Sequence, residues 1–401
     1  MNLQVVIAPD SFKGSLPADR VAQEIASGWS AIRPGDTLSL LPQADGGEGT
    51  LDAVLRSVPG AQRRSAGLVT GPDGTPTPGE WVSLPDGTAV VELAQSSGLP
   101  LMAQPRPLTA TTRGLGEVIT AALLDGASTL WIGLGGSAST DGGAGALSAL
   151  GLRLVDATGA AIPDGGAALR TLAAADTSAM LSPPVGGVLL LTDVTAPLLG
   201  PTGAAAVFGP QKGATAIEVA LLEDALSRFA EVLSSTRGNA DGSSGGSAGG
   251  GTELGGDPGR PGAGAAGGTG YGFSAVWGAA IRPGWEHLAD LSGVRERVAH
   301  ADVLVTGEGR FDSQSITGKT VGRLLDVARS GSPGSGRTPR SPGFGPTPRT
   351  ALIAGQIHAD PGCWNVSLTE LAGSATEAMT DPAPYLRAAG SAAARAMTGE
   401  H

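Results

Sequence analysis

The chain has 401 residues, with 26 Lys and Arg against 37 Asp and Glu and a net charge of −11; that balance repels nucleic acid and anionic membranes and excludes both as general partners. Its length suits two or three domains, and a composition 41% hydrophobic but 3% aromatic predicts a core of Ala, Val and Leu. No run approaches the ~18 apolar residues of a membrane span, no basic region precedes "LQVVIAPD", so no secretory signal is expected, and the single Cys363 excludes internal disulfides and suits a cytoplasmic protein.

In chain order, "LQVVIAPD" reads as a buried strand and "LPADRVAQEIASGWSAI" as a helix. "DTLSLLPQADGGEG" follows as a second strand, with a helix from Thr50. This β-α-β-α opening predicts a parallel α/β sheet. From Gly67 the character changes: two "PDG" turn signals with short alternating runs between them predict antiparallel hairpins in a different subdomain. Strand–helix alternation resumes through "GEVITAALLDG", "STLWIGLGG", "GAGALSALG" and "VLLLTDVTAPL", and "AIEVALLEDALSRFAEVLSS" is a helix. Residues 237–269 are dominated by Gly, Ser, Ala and Asp and read as a mobile loop. "ADVLVTGEG" is a further buried strand and "GKTVGRLLDVAR" a helix. Residues 330–349 form a second mobile insertion before the apolar run "TALIAGQI". The final region is read as a short strand and a closing alanine-rich helix.

Five polar, glycine-rich segments fall at the ends of predicted strands: "APDSFKGS", "PQADGGEGT", "GLGGSASTDGGAG", "TDVTAPLLGPTGAAAVFGPQKGA" and "TGEGRFDSQSITGKT". The carboxyl ends of strands in an open α/β sheet line its ligand crevice. Glycine there lets backbone N–H groups approach an anion, and helix N-termini add partial positive charge. These segments hold Asp10, Asp45, Glu48, Asp141, Asp193, Glu308 and Asp312. They also hold all three lysines, Lys13, Lys212 and Lys319, in a chain with 23 arginines. A lysine is a compact, mobile point charge suited to a transferring phosphate. Oxygen ligands for a metal, a proton acceptor and cations are the inventory of phosphoryl transfer. Helix N-capping is the alternative for Asp141 and Asp312, and Asp45 and Glu48 could complete the helix start before "TLDAVL".

"SQSITGKT" comes near a Walker A pattern, with Gly318, Lys319 and Thr320 in place, but Ser313 stands where the first glycine belongs. No G-x-G-x-x-G follows the first strand, which lowers a dinucleotide-binding reading. His287, His300, His358 and His401 show no zinc-ligand spacing with Cys363, and His358 reads as structural.

Together "IAPDSFKGSL", "LPQADGGEGT", "GLGGSASTDGGAGALSALG", "TDVTAPLLGPTGAAAVFGPQKGA", "GAGAAGGTGYG" and "DVLVTGEGRFDSQSITGKTVGRL" resemble, in order, the signature segments of the bacterial glycerate kinase family. The resemblance runs from residue 3 to about residue 357. It implies ATP-dependent phosphorylation of D-glycerate with Mg2+, the 2-position being favoured. It also implies two α/β domains. One is flavodoxin-like, with a parallel sheet built from both chain ends (1–66 and 285–401), and the other is a mixed α/β domain inserted at 67–284. The Gly/Ser stretch and residues 330–349 depart from the family as surface extensions, and the region after "IAGQI" matches it less distinctly.

Roles follow from the resemblance as expectations. Glycerate needs a cation and several donors, for which Lys13, Ser11, Ser96, Ser97 and Arg113 are candidates, with Asp10 expected in the same substrate site and Lys13 also expected among the catalytic residues. Gly135, Gly136, Ser137, Asp141, Lys212, Glu308 and Lys319 are expected around phosphate groups. Asp193 or Asp45 is expected to coordinate metal or accept a proton, and the identity of the base stays open. The rival readings are another small-acid kinase, a P-loop-like ATPase, or a non-catalytic sugar-acid sensor. The oligomeric state is open, a homodimer being one option.

Overall fold

In the computed structural model, residues 2–236, 254–318, 320–330 and 347–399 are described. The strands in chain order are β1 (Gln4–Ile7), β2 (Thr37–Leu40), β3 (Gln62–Thr70), β4 (Pro76–Ser83), β5 (Thr88–Glu92), β6 (Thr129–Gly133), β7 (Arg153–Val155), β8 (Ala174–Asp176), β9 (Val188–Leu191), β10 (Ala280–Arg282), β11 (Val303–Phe311), β12 (Arg349–Ile357) and β13 (Trp364–Ser367). They are distributed over two units. The first comprises Met1–Asp45, Asp52–Val58 and Trp285–His401, and the second Gly46–Leu51 and Pro59–Gly284.

The first unit follows from strands that are apolar on both faces. Along β1, Val5 and Ile7 enter one core cluster, while Val6 and the following Ala8 enter another. This is the two-residue period of a strand buried on both sides. The first cluster is closed by Val21, Ala22, Ile25 and Trp29 of the helix Ala18–Ile32 and by Leu386, Ala389 and Ala393 of the helix Pro382–Thr398. Trp285, Val298, Leu304, Leu324 and Ala328 fill the second. The strands lie in the order β2-β1-β11-β12-β13, all parallel, with Val5 opposite both Leu38 and Val303. Taken in order of appearance this is 2-1-3-4-5, the flavodoxin-like doubly wound sheet, whose strand order reverses between β1 and β11.

The second unit holds a mixed sheet in the order β10-β9-β6-β5-β4-β3. β10, β9, β6 and β5 are parallel, and β4 and β3 continue antiparallel. The antiparallel run begins at Gln62, ahead of the change of character at Gly67. Leu115, Val118, Ile119 and Ala122 of the helix Arg113–Leu124 pack with Val91, Leu130, Ile132 and Leu190 in one core cluster. The helix Ala216–Ser235 adds Leu222, Leu226, Phe229 and Leu233. It starts on a capping box, Thr215 with Glu218, which satisfies backbone donors at both residues.

The glycine-rich stretch needs a correction. Residues 237–253 lie outside the described residues, but 262–265 and 267–269 are buried rather than mobile. Glycine serves close approach there: a Cβ on Gly264 would lie 2.2 Å from the Pro197 carbonyl oxygen, and one on Gly267 would lie 2.1 Å from that of Ser139. In the insertion 330–349, residues 331–346 lie outside the described residues. The short C-terminal strand ends at Ser367, and "LTELA" is already helical. Among the described residues no helix is long and apolar enough to cross a membrane.

Candidate active site

Each unit carries a cavity at the strand ends. In the first unit, β1 runs out into Asp10, Ser11 and Lys13, and the β1–β11 ladder is extended by the N–H groups of Ala8 and Asp10, which donate to Val305 and Gly307 at 2.8 Å. These residues, Asp45 beyond β2, Glu308 and Arg310 of β11, Gln356 of β12 and Met379 line a cavity of about 360 Å³. Its place beside the β1/β11 reversal is where an open α/β sheet binds its ligand. Asp10 is half-buried and accepts the Ser11 N–H at 2.6 Å. Burial, with the Asp45 carboxylate and to a lesser degree Glu308, pushes its carboxyl up to about 7 against the opposing pull of Lys13 and the Ser11 N–H. Ser11 Oγ is buried and has no hydrogen-bond partner among the described residues.

The cavity of the second unit, about 310 Å³, is built from loops. Gly135, Gly136 and Ser137 follow β6, Thr192 and Val194 follow β9, Gln211 and Lys212 belong to the turn Pro210–Lys212, and Ala266 and Gly267 open a helix. Leu99, Pro100 and Phe208 give it an apolar side. Lys212 is buried, its ammonium donating to the Ser139 carbonyl. Burial lowers it from 10.5 to about 8, with Asp141 pulling the other way. Glycine loops around one lysine are an arrangement that can cradle an anion.

A model of the glycerate kinase family matches residues 5–398. The chain belongs to the glycerate kinase family. It is 42% identical to the glycerate 2-kinase of Escherichia coli K12 over 332 residues, 82% of each chain. The glycerate kinase of Bacillus subtilis 168 is equally similar, 42% identical with 82% of each chain covered. A crystal structure from Salmonella typhimurium LT2, provisionally described as a glycerate kinase 2, superposes with a TM-score of 0.73 at 34% identity, covering 100% of this chain and 99% of that one.

Within this glycerate kinase family fold, Asp10, Ser11, Lys13, Asp45 and Glu308 share the first cavity, while Glu48, Gly135, Gly136, Ser137 and Lys212 share the second. Asp193 is half-buried between Thr192 and Val194, two lining residues of the second cavity. Asp45 and Asp193 therefore fall in different units. Ser96 and Ser97 lie fully buried in the helix Leu93–Ser97, their hydroxyls without partners among the described residues, and neither lines a described cavity. Arg113 spends its guanidinium on Asp164 through bonds of 2.5 and 2.7 Å. Asp141 is fully buried and accepts from Thr112 N and Oγ1 at 2.9 and 2.8 Å and from the N–H groups of Gly143 and Gly145 at 3.1 and 3.2 Å. Asp312 takes the N–H groups of Gln314 and Ser315, as an N-cap does. Lys319 lies outside the described residues.

Several contributors escaped the sequence reading. The start of the helix Thr50–Ser57 is served by buried Glu92, which accepts from Gly49 N at 3.3 Å and Leu51 N at 3.2 Å. Its signal was a carboxylate ending the fully buried strand "TAVVE". Arg310 enters the first cavity from the polar segment after "ADVLV", which continues as strand β11 to Phe311, and Gln356 enters it from the apolar run "TALIAGQI". Ala266 and Gly267 enter the second, and the spacing of Gly262, Gly264 and Gly267 is a G-x-G-x-x-G that follows no strand.

Proposed function

We propose that this chain transfers the γ-phosphoryl group of ATP to the 2-hydroxyl of D-glycerate, giving 2-phosphoglycerate and ADP. The observation that carries this reading is Asp10, a carboxyl poised near neutrality beside Lys13 at the sheet's reversal point. A general base is most effective when its pKa lies near the working pH. Lys13 and Arg310 supply the positive charge for the carboxylate of glycerate, and the unpartnered Ser11 Oγ donates to it. Asp10 takes the proton of the 2-hydroxyl as that oxygen forms its bond to phosphorus. The bond from phosphorus to the ADP oxygen breaks, and ADP leaves. In the second unit the loop Gly135–Ser137 and Lys212 hold phosphate oxygens, and Leu99, Pro100 and Phe208 flank the base.

Magnesium brought with the nucleotide supplies neutralisation of phosphate charge. Among the described residues no group of three His, Cys, Asp or Glu side chains is placed to hold a metal. That fits an ion which keeps water and phosphate oxygens and takes only one or two carboxylates. Asp45 and Asp193 remain our candidates for that contact. We place the reaction in the cytoplasm on cysteine usage.

The test is ADP release with D-glycerate, with related hydroxy acids as controls and enolase coupling to separate 2- from 3-phosphoglycerate. No ADP above background with glycerate would overturn the proposal.

A further inference from the structure

Ala266 is the one non-glycine residue among those described with a positive φ, at φ 51° and ψ 45°. Every other positive-φ residue among those described is glycine, in a chain with 65 glycines. The two residues after it, Gly267 and Gly268, continue the left-handed run at φ 64° and 93°. They have no room for a side chain: a Cβ on Gly268 would lie 2.8 Å from Leu198 Cδ1 and 3.1 Å from Gly142 Cα, and Gly267 faces the Ser139 carbonyl. A left-handed conformation strains any residue with a Cβ. Such strain persists only where the surroundings over-determine it, and it concentrates at ligand sites.

The surroundings here do so. Gly142 N donates to Gly267 O at 2.9 Å, and Thr269 Oγ1 donates to Ala266 O at 2.8 Å. Lys212 holds the same Ser139 carbonyl that Gly267 abuts. The loop is a fixed wall, and Ala266 lines the second cavity on the side of that wall together with Gly267. Ala266 stands in that lining with Leu99, Pro100, Val194 and Phe208, and it is half-buried, packed in part against the hydrophobic core of the second unit.

We propose that Ala266 is a specificity-determining residue: its methyl sets the width of the second cavity and fits it to the adenine nucleotide. The occupant rests on the reading given above; the wall does not.

The experiment is Ala266→Gly in the full chain, with Lys212→Ala beside it. Releasing the left-handed strain should raise the Tm by about 1–3 °C, so a folding defect is not the expected outcome. Losing one methyl from a fitted wall should raise the KM for ATP about 3- to 10-fold. The KM for D-glycerate should stay unchanged, and the preference for ATP over GTP should shrink. A Tm that is unchanged or lower overturns the strain, and with it the proposal. A higher Tm with both KM values unmoved overturns the wall. If the glycerate KM moves instead, and Lys212→Ala leaves the ATP KM alone, the wall stands and the nucleotide assignment of this cavity fails.

Discussion

The two cavities are polar in different ways. The first draws its polarity from ionisable side chains: Asp10, Asp45 and Glu308 stand with Lys13 and Arg310 in its lining. The second sets backbone and hydroxyl groups of glycine loops around a buried Lys212, with Glu48 as the carboxylate in its lining. Crowded carboxylates raise one another's proton affinity, which suits proton acceptance. Loop N–H groups present fixed partial charges that need no counter-ion, which suits phosphate. Even the two lysines differ, Lys13 being exposed and Lys212 buried and depressed to about 8. The division of labour proposed for the two units is a claim about these two kinds of polarity, and it can be broken at either end.

The largest effect is expected at Asp10. Asp10→Asn keeps the shape of the side chain and removes the base, and should lower kcat by about 10²- to 10⁴-fold. Retention of a tenth of the rate would end its role as proton acceptor. The same variant has a signature in stability. The native carboxyl, at about 7 against 3.8 unperturbed, binds a proton between those pH values that the unfolded chain has lost. The group's contribution is therefore fully present below pH 4 and is lost as pH rises towards 7. Asp10→Asn should be more stable than the parent at pH 8, by about 1–3 kcal/mol at this half-buried site. At pH 4 it should match the parent. Thermal melts at the two pH values measure this, and the parent rate should climb with pH through about 7.

At the other cavity, Lys212→Met should raise the KM for ATP by about 10-fold or more, since a charged hydrogen-bonding partner of phosphate is lost. The KM for D-glycerate should move far less. Burial penalises the ammonium at neutral pH, so the Tm at pH 7 should hold or rise, although the Ser139 carbonyl loses its donor. Equal changes in both KM values would erase the distinction between the cavities.

The comparison also explains what was legible. The doubly wound unit could be read because valine-rich runs such as "LQVVI" and "DVLVT" announce strands buried on both faces, each followed by its polar loop. Asp10 and Lys13 could be found because they lie in the loop that follows the first of these runs, and Glu308 because its polar segment follows the second, although β11 runs on through it to Phe311. What failed to show is set by partners distant in sequence. Asp141 is satisfied by Thr112, 29 residues earlier, and Glu92 serves a helix start 41 residues before it. Serines in "AQSSG" look like ligand donors, but they face inward because the helix Leu93–Ser97 buries them. Ala266 was hidden among glycines whose burial no local pattern reports.

Arg113 gives the smallest effect and the finest test. From the sequence it is a natural counter-charge for the carboxylate of glycerate. In the structure both arms of its guanidinium engage Asp164, 51 residues away, and that hydrogen bonding holds its pKa above the usual range. Each side chain of the pair is about a third exposed, 33% and 30%, so solvent screens the attraction and the pair contributes about 0.5–1 kcal/mol. Arg113→Ala should therefore cost about that much stability and leave the KM for D-glycerate within about twofold, whereas Lys13→Ala should raise it about 10-fold or more through loss of a charged partner. A tenfold rise with Arg113→Ala would mean that Asp164 releases the guanidinium to substrate, and the acceptor site would then extend beyond the carboxylate-rich cavity.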